Sequence, residues 1–404
     1  MDLVFTCFLN ASGLSYVGQS FFKYLIKQGI KVVPIFLAPP ETKWLDPKLA
    51  EEMETAAKRP LTDSFMQLHT GRADNINIVK NAKTIIGSIV VEGNRLNSQH
   101  VSVLKSLDAV LVPSYFCRNV CVSSGVPKSK IFYVPYALDT DIWNTSVLPK
   151  ELKSDRFKIL WMNTCYERKG WDLALKAFWE EFSTDEPVEL TLKSYRENDR
   201  IEPLDILVAL KAAEWKINRN QRAPVRIIDE PIPALDIPSF MKSFDAFVSP
   251  HRSEGFGLNP WHAMALGVPV ICTDYSGTCD FAKNDTAWLV KAYEFTSPGK
   301  QESAIFPQLA DIVWAEPSIE ELRRQMRACL SNPDEAKRRS AIGATLVKEN
   351  YSEQKMIEKF KEALDIAAPG TWEQLLPDKY IEKIATQPSE RFVSPEQPLE
   401  MIEI

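Results

Sequence analysis

The stretch Ser249-Pro-His-Arg-Ser-Glu-Gly-Phe-Gly-Leu-Asn-Pro-Trp-His-Ala-Met-Ala-Leu-Gly267 joins a strand end, a glycine loop and a helix start. Ala246–Pro250 reads as a short buried strand, Glu254–Leu258 as the loop, and Asn259 and Pro260 as N-cap and first helical residue. Gly255 and Gly257 let backbone N–H groups approach a ligand, and the helix N-terminus adds partial positive charge. Phe256 and Leu258 complete the loop. Together they predict a site for a diphosphate. Glu254 stands beside that anion site, where a carboxylate has a purpose if it accepts hydrogen bonds from sugar hydroxyls. A solvated loop glutamate is the other reading.

Working outward, Phe157–Met162, Val188–Lys193, Val225–Ile228 and Val268–Thr273 are further short apolar strands, and Trp171–Phe182 is a helix with one broad apolar face. Leu3–Leu9, Lys31–Leu37, Thr84–Val91, Ala109–Pro113 and Lys130–Pro135 form an earlier series, with Asn10–Gly18 as a loop and Phe21–Lys27 as a helix. Such alternation predicts an α/β fold of two Rossmann-like, doubly wound parallel sheets facing a cleft. The expected divisions are 1–150, 151–350, a crossover helix within 351–368, and an irregular or partly disordered tail over 369–404, with the linker near 148–156.

Bulk properties narrow the function. A chain of 404 residues exceeds one ordinary core. The net charge of -6 argues against nucleic acid as the main partner. Seven scattered cysteines suit free thiols, and no basic leader or long apolar run appears, so the expectation is a cytoplasmic protein.

The Glu254–Leu258 loop resembles the signature of family 4 retaining glycosyltransferases of the GT-B fold, within the glycosyltransferase group 1 family. In that signature a first glutamate contacts the donor hexose and a second the ribose. Glu254 matches the first, and His262 occupies the second position, a departure that leaves one acceptor nitrogen or simple helix packing. Ser276 and Gly277 resemble the family's small-residue loop near sugar and phosphates, and Gly13, with Asn10 and Ser12, its first-domain glycine loop. Asp280 reads as a helix-start acid, and His251, beside the donor loop, as a candidate ligand contact.

Lys169 and Arg168 lie in the loop Asn163–Gly170, where the resemblance implies a grip on the diphosphate. Asn163 replaces the usual arginine, so Arg168 is the candidate substitute, and a solvated basic turn is the other reading. Glu92 closes an earlier strand and is the candidate to orient or deprotonate the acceptor hydroxyl. Arg95 is the candidate to hold an anionic acceptor, with loop capping as the alternative for both. The resemblance spans about residues 84 to 352, is weakest before 80 and is absent after 370.

What it implies is a metal-independent hexosyltransferase that uses a nucleoside-diphosphate sugar, retains the anomeric configuration and needs no cofactor. The acceptor stays open among glycan, lipid-linked, small-molecule and protein hydroxyls, as does peripheral membrane contact. Asp139-Thr-Asp141 imitates a metal-binding DxD pair but sits in a linker-proximal turn, and no metal site is expected. Two rivals stand beside this reading: another enzyme on the same fold, such as an epimerase or phosphorylase, and a weakened donor-binding scaffold suggested by Asn163 and His262.

Overall fold

The computed structural model describes residues 1–195, 202–376 and 402–403. Strands β1 (Asp2–Cys7), β2 (Val32–Phe36), β3 (Phe65–Gly71), β4 (Ala82–Ile89), β5 (Ala109–Val112) and β6 (Ile131–Tyr133) form a parallel sheet in the order β2-β1-β3-β4-β5-β6. Strands β7 (Phe157–Met162), β8 (Val188–Ser194), β9 (Val225–Asp229), β10 (Ala246–Ser249), β11 (Val270–Thr273) and β12 (Trp288–Val290) form a second, in the order β12-β11-β10-β7-β8-β9. The second sheet reverses its winding between β7 and β10, the place where an open α/β sheet leaves a ligand crevice beyond its strand ends. The loops after β7 and β10 are the two that carry Lys169 and Glu254.

Several elements depart from the sequence expectation. Asn10–Gly18 is not all loop: Ser12 accepts a hydrogen bond from the Ser15 N–H and starts the helix Gly13–Lys27. β3, with the helix Pro47–Ala57 before it, escaped the apolar-run reading because Gln67, His69 and Thr70 interrupt it. These polar side chains are fully buried. His69 is tied to Thr6 and Asn75 at 3.0 Å each, and Gln67 donates to the Asn77 carbonyl.

A β13 (Ala292–Thr296) and β14 (Trp314–Pro317) hairpin flanks the second sheet. The helix Glu353–Ala367 returns to the first sheet, where Met356, Phe360 and Leu364 join Phe21, Phe22 and Leu25 in one core. The expected irregular tail is helical over Thr371–Leu375, with Trp372 edge-on to Phe360. Residues 377–401 and 404 of that tail lie outside the described residues, and β15 (Ile402–Glu403) pairs antiparallel with β9.

Candidate active site

The cleft between the sheets is closed by contacts from both domains. Ser114 donates to the Gly255 carbonyl at 2.6 Å, the Tyr195 hydroxyl to that of Ala11 at 3.0 Å, and the Ala234 N–H to that of Trp44 at 2.8 Å. Gly255 meets the first domain so closely that a Cβ there would lie 2.1 Å from Val90 Cγ2 and 2.8 Å from the Val91 carbonyl oxygen. Asp280 is not a cap on its own chain direction. Its carboxylate accepts the Tyr115 N–H at 2.9 Å, at the start of the first-domain helix Tyr115–Ser123.

The donor loop differs locally from its sequence reading. Gly257, with φ of 94°, turns the chain in the left-handed region, so the helix Leu258–Ala265 begins before Asn259. Asn259 therefore caps nothing and instead donates to the Met162 carbonyl at 2.7 Å, fastening this helix to the end of β7. Phe256 turns into an aromatic cluster with Tyr136, Trp261, Phe281 and Tyr351. Ser276 and Gly277 sit behind the loop, where the Ser276 hydroxyl accepts the Glu254 N–H at 2.9 Å and the Gly277 N–H donates to the Glu254 carbonyl at 2.8 Å. They brace the loop that faces the cleft. Leu258 reaches across to Gly13, 3.2 Å from where a Cβ would stand.

The basic loop is held rigidly against this one. Gly170 has φ of 68°, and a Cβ there would come within 2.0 Å of the Pro250 carbonyl oxygen. Arg252, which the sequence reading missed, donates to the Glu167 carbonyl at 2.6 Å and grips Asp172 and Glu316. Its signal was only its place between strand end and glycine loop.

Lys169 Nζ lies 2.6 Å from Glu254 Oε1. Arg168 does not project freely into the cleft: it is 5% exposed, pairs with Glu92 at 2.6 Å and with Glu254 at 3.5 Å, and donates to the Ser253 carbonyl. Burial opposes ionisation of Glu254, but the charges of Lys169 and Arg168 overcome it and draw the carboxyl down to about 2. Glu92, expected as an acceptor base, is thus the first-domain end of an ion relay running Glu92–Arg168–Glu254–Lys169.

His262 is enclosed, stacked on Trp143, which precedes the linker, at 3.7 Å between ring centres and edge-on to Tyr16. Burial pushes its imidazole down to about 3, so it is neutral, and its Nε2 has no hydrogen-bond partner among the described residues. His251 is walled in: its ring nitrogens lie 2.9 and 3.2 Å from the Ser249 and Tyr275 carbonyl oxygens. Arg95 is off the main cleft and donates to the Asp311 carbonyl, a loop fastener in place of an anion grip. Asp139 pairs with Lys23. Sequence reasoning also missed Lys193, buried on the cleft wall at the end of β8, where burial lowers its ammonium to about 8 despite Asp229 and Glu230.

Residues 156–297 match the family model described as glycosyl transferases group 1. A stretch of 39 residues is 56% identical to the lipopolysaccharide core biosynthesis mannosyltransferase LpsB of Rhizobium meliloti (strain 1021), spanning 10% of this chain and 11% of that protein. Among solved structures, TarM of S. aureus superposes with a TM-score of 0.55 at 16% identity, over 75% of this chain and 56% of TarM. HepE of Anabaena, solved in complex with UDP and glucose, superposes with a TM-score of 0.61 at 12% identity, over 90% of this chain and 99% of HepE. The fold is therefore the two-domain GT-B fold. Within the second domain, residues 156–297 resemble group 1 glycosyl transferases.

Proposed function

We propose that this protein is a glycosyltransferase that moves a hexose from a nucleoside-diphosphate sugar to an acceptor hydroxyl, retaining anomeric configuration and using no divalent metal. The observation that carries the reading is the meeting of Lys169 and Glu254 from the two loops flanking the sheet reversal, at the N-terminus of the helix Leu258–Ala265. In this reading the diphosphate lies at that N-terminus and takes the Lys169 ammonium, which releases Glu254 to sugar hydroxyls. The developing charge on the leaving diphosphate is met by fixed donors already in place, the largest usual source of catalytic stabilisation. His262 meets the ribose through its unpartnered Nε2. The acceptor attacks from the face the diphosphate leaves, so no protein nucleophile is assigned. All seven cysteines are unpaired, which supports a reducing compartment such as the cytoplasm. Among the described residues no helix is long and apolar enough to cross a membrane.

The test is donor hydrolysis, with water as acceptor, across UDP- and GDP-hexoses in excess EDTA. Release of hexose whose first-formed anomer, read by proton NMR, matches the donor is the expected result. Activity lost to EDTA and restored by magnesium or manganese would remove the metal-free mechanism. Tight donor binding without turnover would favour the weakened scaffold.

A further inference from the structure

Beyond the matched region the chain leaves the second domain, passes over the end of the cleft and returns at β14. This strap, residues 298–313, is fastened at both ends. At its start the Gly299 N–H donates to Glu167 Oε2, and the Glu167 N–H to Glu302 Oε2, both at 2.8 Å. At its finish the Val313 N–H donates to Asn94 Oδ1 at 2.9 Å, Arg95 donates to the Asp311 carbonyl, and Ile312 packs over Gly93. The first anchor is the basic loop of the second domain, and the second is the first-domain loop that follows Glu92. Strap and cleft therefore hold one geometry together.

Between the anchors the strap brings Phe306 to the cleft wall, half-buried and edge-on to Tyr166 at 4.8 Å between ring centres. The Arg72 guanidinium, just past the end of β3, stands over the Phe306 ring at 5.9 Å from its centre, at the outer edge of cation–π range. Glu92 lines the same mouth and is joined to Glu254 through the single guanidinium of Arg168. Phe306 is thus an aromatic ring beside hydrogen-bonding groups of both kinds, on the first-domain side of the carboxylate assigned to the donor sugar. Among the described residues the positive charges around it are matched: Arg72 by Asp74 at 3.0 Å, and Arg168 by Glu92 and Glu254, while Arg95 is spent on the Asp311 carbonyl. Such a mouth suits a neutral ring with one apolar face and, among the described residues, gives an anionic group no spare partner.

We propose that the strap is the acceptor platform, and that the acceptor presents a neutral sugar ring stacked on Phe306 with its hydroxyls bonded by Arg72 and Glu92. This rests on the transferase reading above. The test is saturation-transfer difference NMR with methyl α-D-glucopyranoside, methyl α-D-mannopyranoside and methyl β-D-galactopyranoside, with glucose 6-phosphate as the charged comparison. Wild type should saturate at least one glycoside. Phe306→Ala and Phe306→Leu should weaken that binding by about tenfold or more, and Phe306→Trp should restore it, since leucine keeps the apolar volume and loses the flat face. No contact with any of the three glycosides, a Phe306→Leu variant equal to wild type, or tighter binding of glucose 6-phosphate would each overturn the platform. A separate thermal-shift measurement with UDP and GDP keeps the two readings apart. Its absence in wild type sinks the donor site, and leaves the glycoside result to decide the platform.

Discussion

Glu254→Gln should tighten nucleoside diphosphate binding while Lys169→Ala weakens it, because these two side chains are each other's partners at 2.6 Å. The Glu254 carboxyl is drawn from 4.5 to about 2 against the opposing effect of burial. That drop corresponds to roughly 3 kcal/mol of net attraction, supplied mainly by Lys169 and then by Arg168. A diphosphate that takes Lys169 forfeits part of it, on the order of 1–1.5 kcal/mol, so neutralising Glu254 should tighten binding by up to about tenfold. Removing Lys169 deletes a charge-assisted contact worth about 1.5–3 kcal/mol, roughly a 10- to 160-fold loss. Isothermal titration calorimetry with UDP and GDP at pH 7 measures both, and the intact donor should show the opposite trend for Glu254→Gln. If Glu254→Gln lowers nucleoside diphosphate affinity as far as Lys169→Ala does, the division of labour between phosphate and sugar is wrong.

Arg168→Ala should destabilise the protein by about 3 kcal/mol, the low end for stranding buried charge, because Glu92 is 22% exposed and Glu254 keeps Lys169; chemical denaturation reads this, and a loss under about 1 kcal/mol would contradict the relay. His262 is neutral in the fold with a pKa of about 3, while an unfolded histidine titrates near 6.5, so the unfolded chain binds the extra proton and stability falls as pH drops from about 6.5 toward 3. In His262→Phe the slope of stability against pH in that window should be shallower by about one proton, or about 1.4 kcal/mol per pH unit, and an unchanged slope would mean that the ring is hydrated. Glu92→Gln should slow transfer without abolishing it, since Glu92 is bound to Arg168 and is not placed as an obligatory base; a dead variant that still binds donor and an inverted product would make it one.

Much was legible in the residue order because the decisive signals are local. A buried strand, a glycine loop and a helix start within Ser249–Gly267 are enough to specify an α/β unit and its anion-facing end. Most strands of both sheets coincide with short apolar runs, since a parallel sheet is covered on both faces. β3 was invisible for the complementary reason: the buried polar groups of Gln67 and His69 are satisfied by Thr6, Asn75 and Asn77, which only the folded chain brings near.

The sequence by itself determined the residue types facing the cleft, Lys169 and Glu254 above all, because strand ends in a doubly wound sheet dictate where loops point. Only the tertiary structure decided their pairings. Arg168 reads as a phosphate grip until Glu92, from the other domain, stands 2.6 Å from it. Arg95 reads as an anion site until the strap offers it the Asp311 carbonyl. His262 reads as one helix residue among others until Trp143, from the segment before the linker, stacks on its ring. A buried charge or ring takes the partner that closure of the domains supplies, and that partner is remote in the chain.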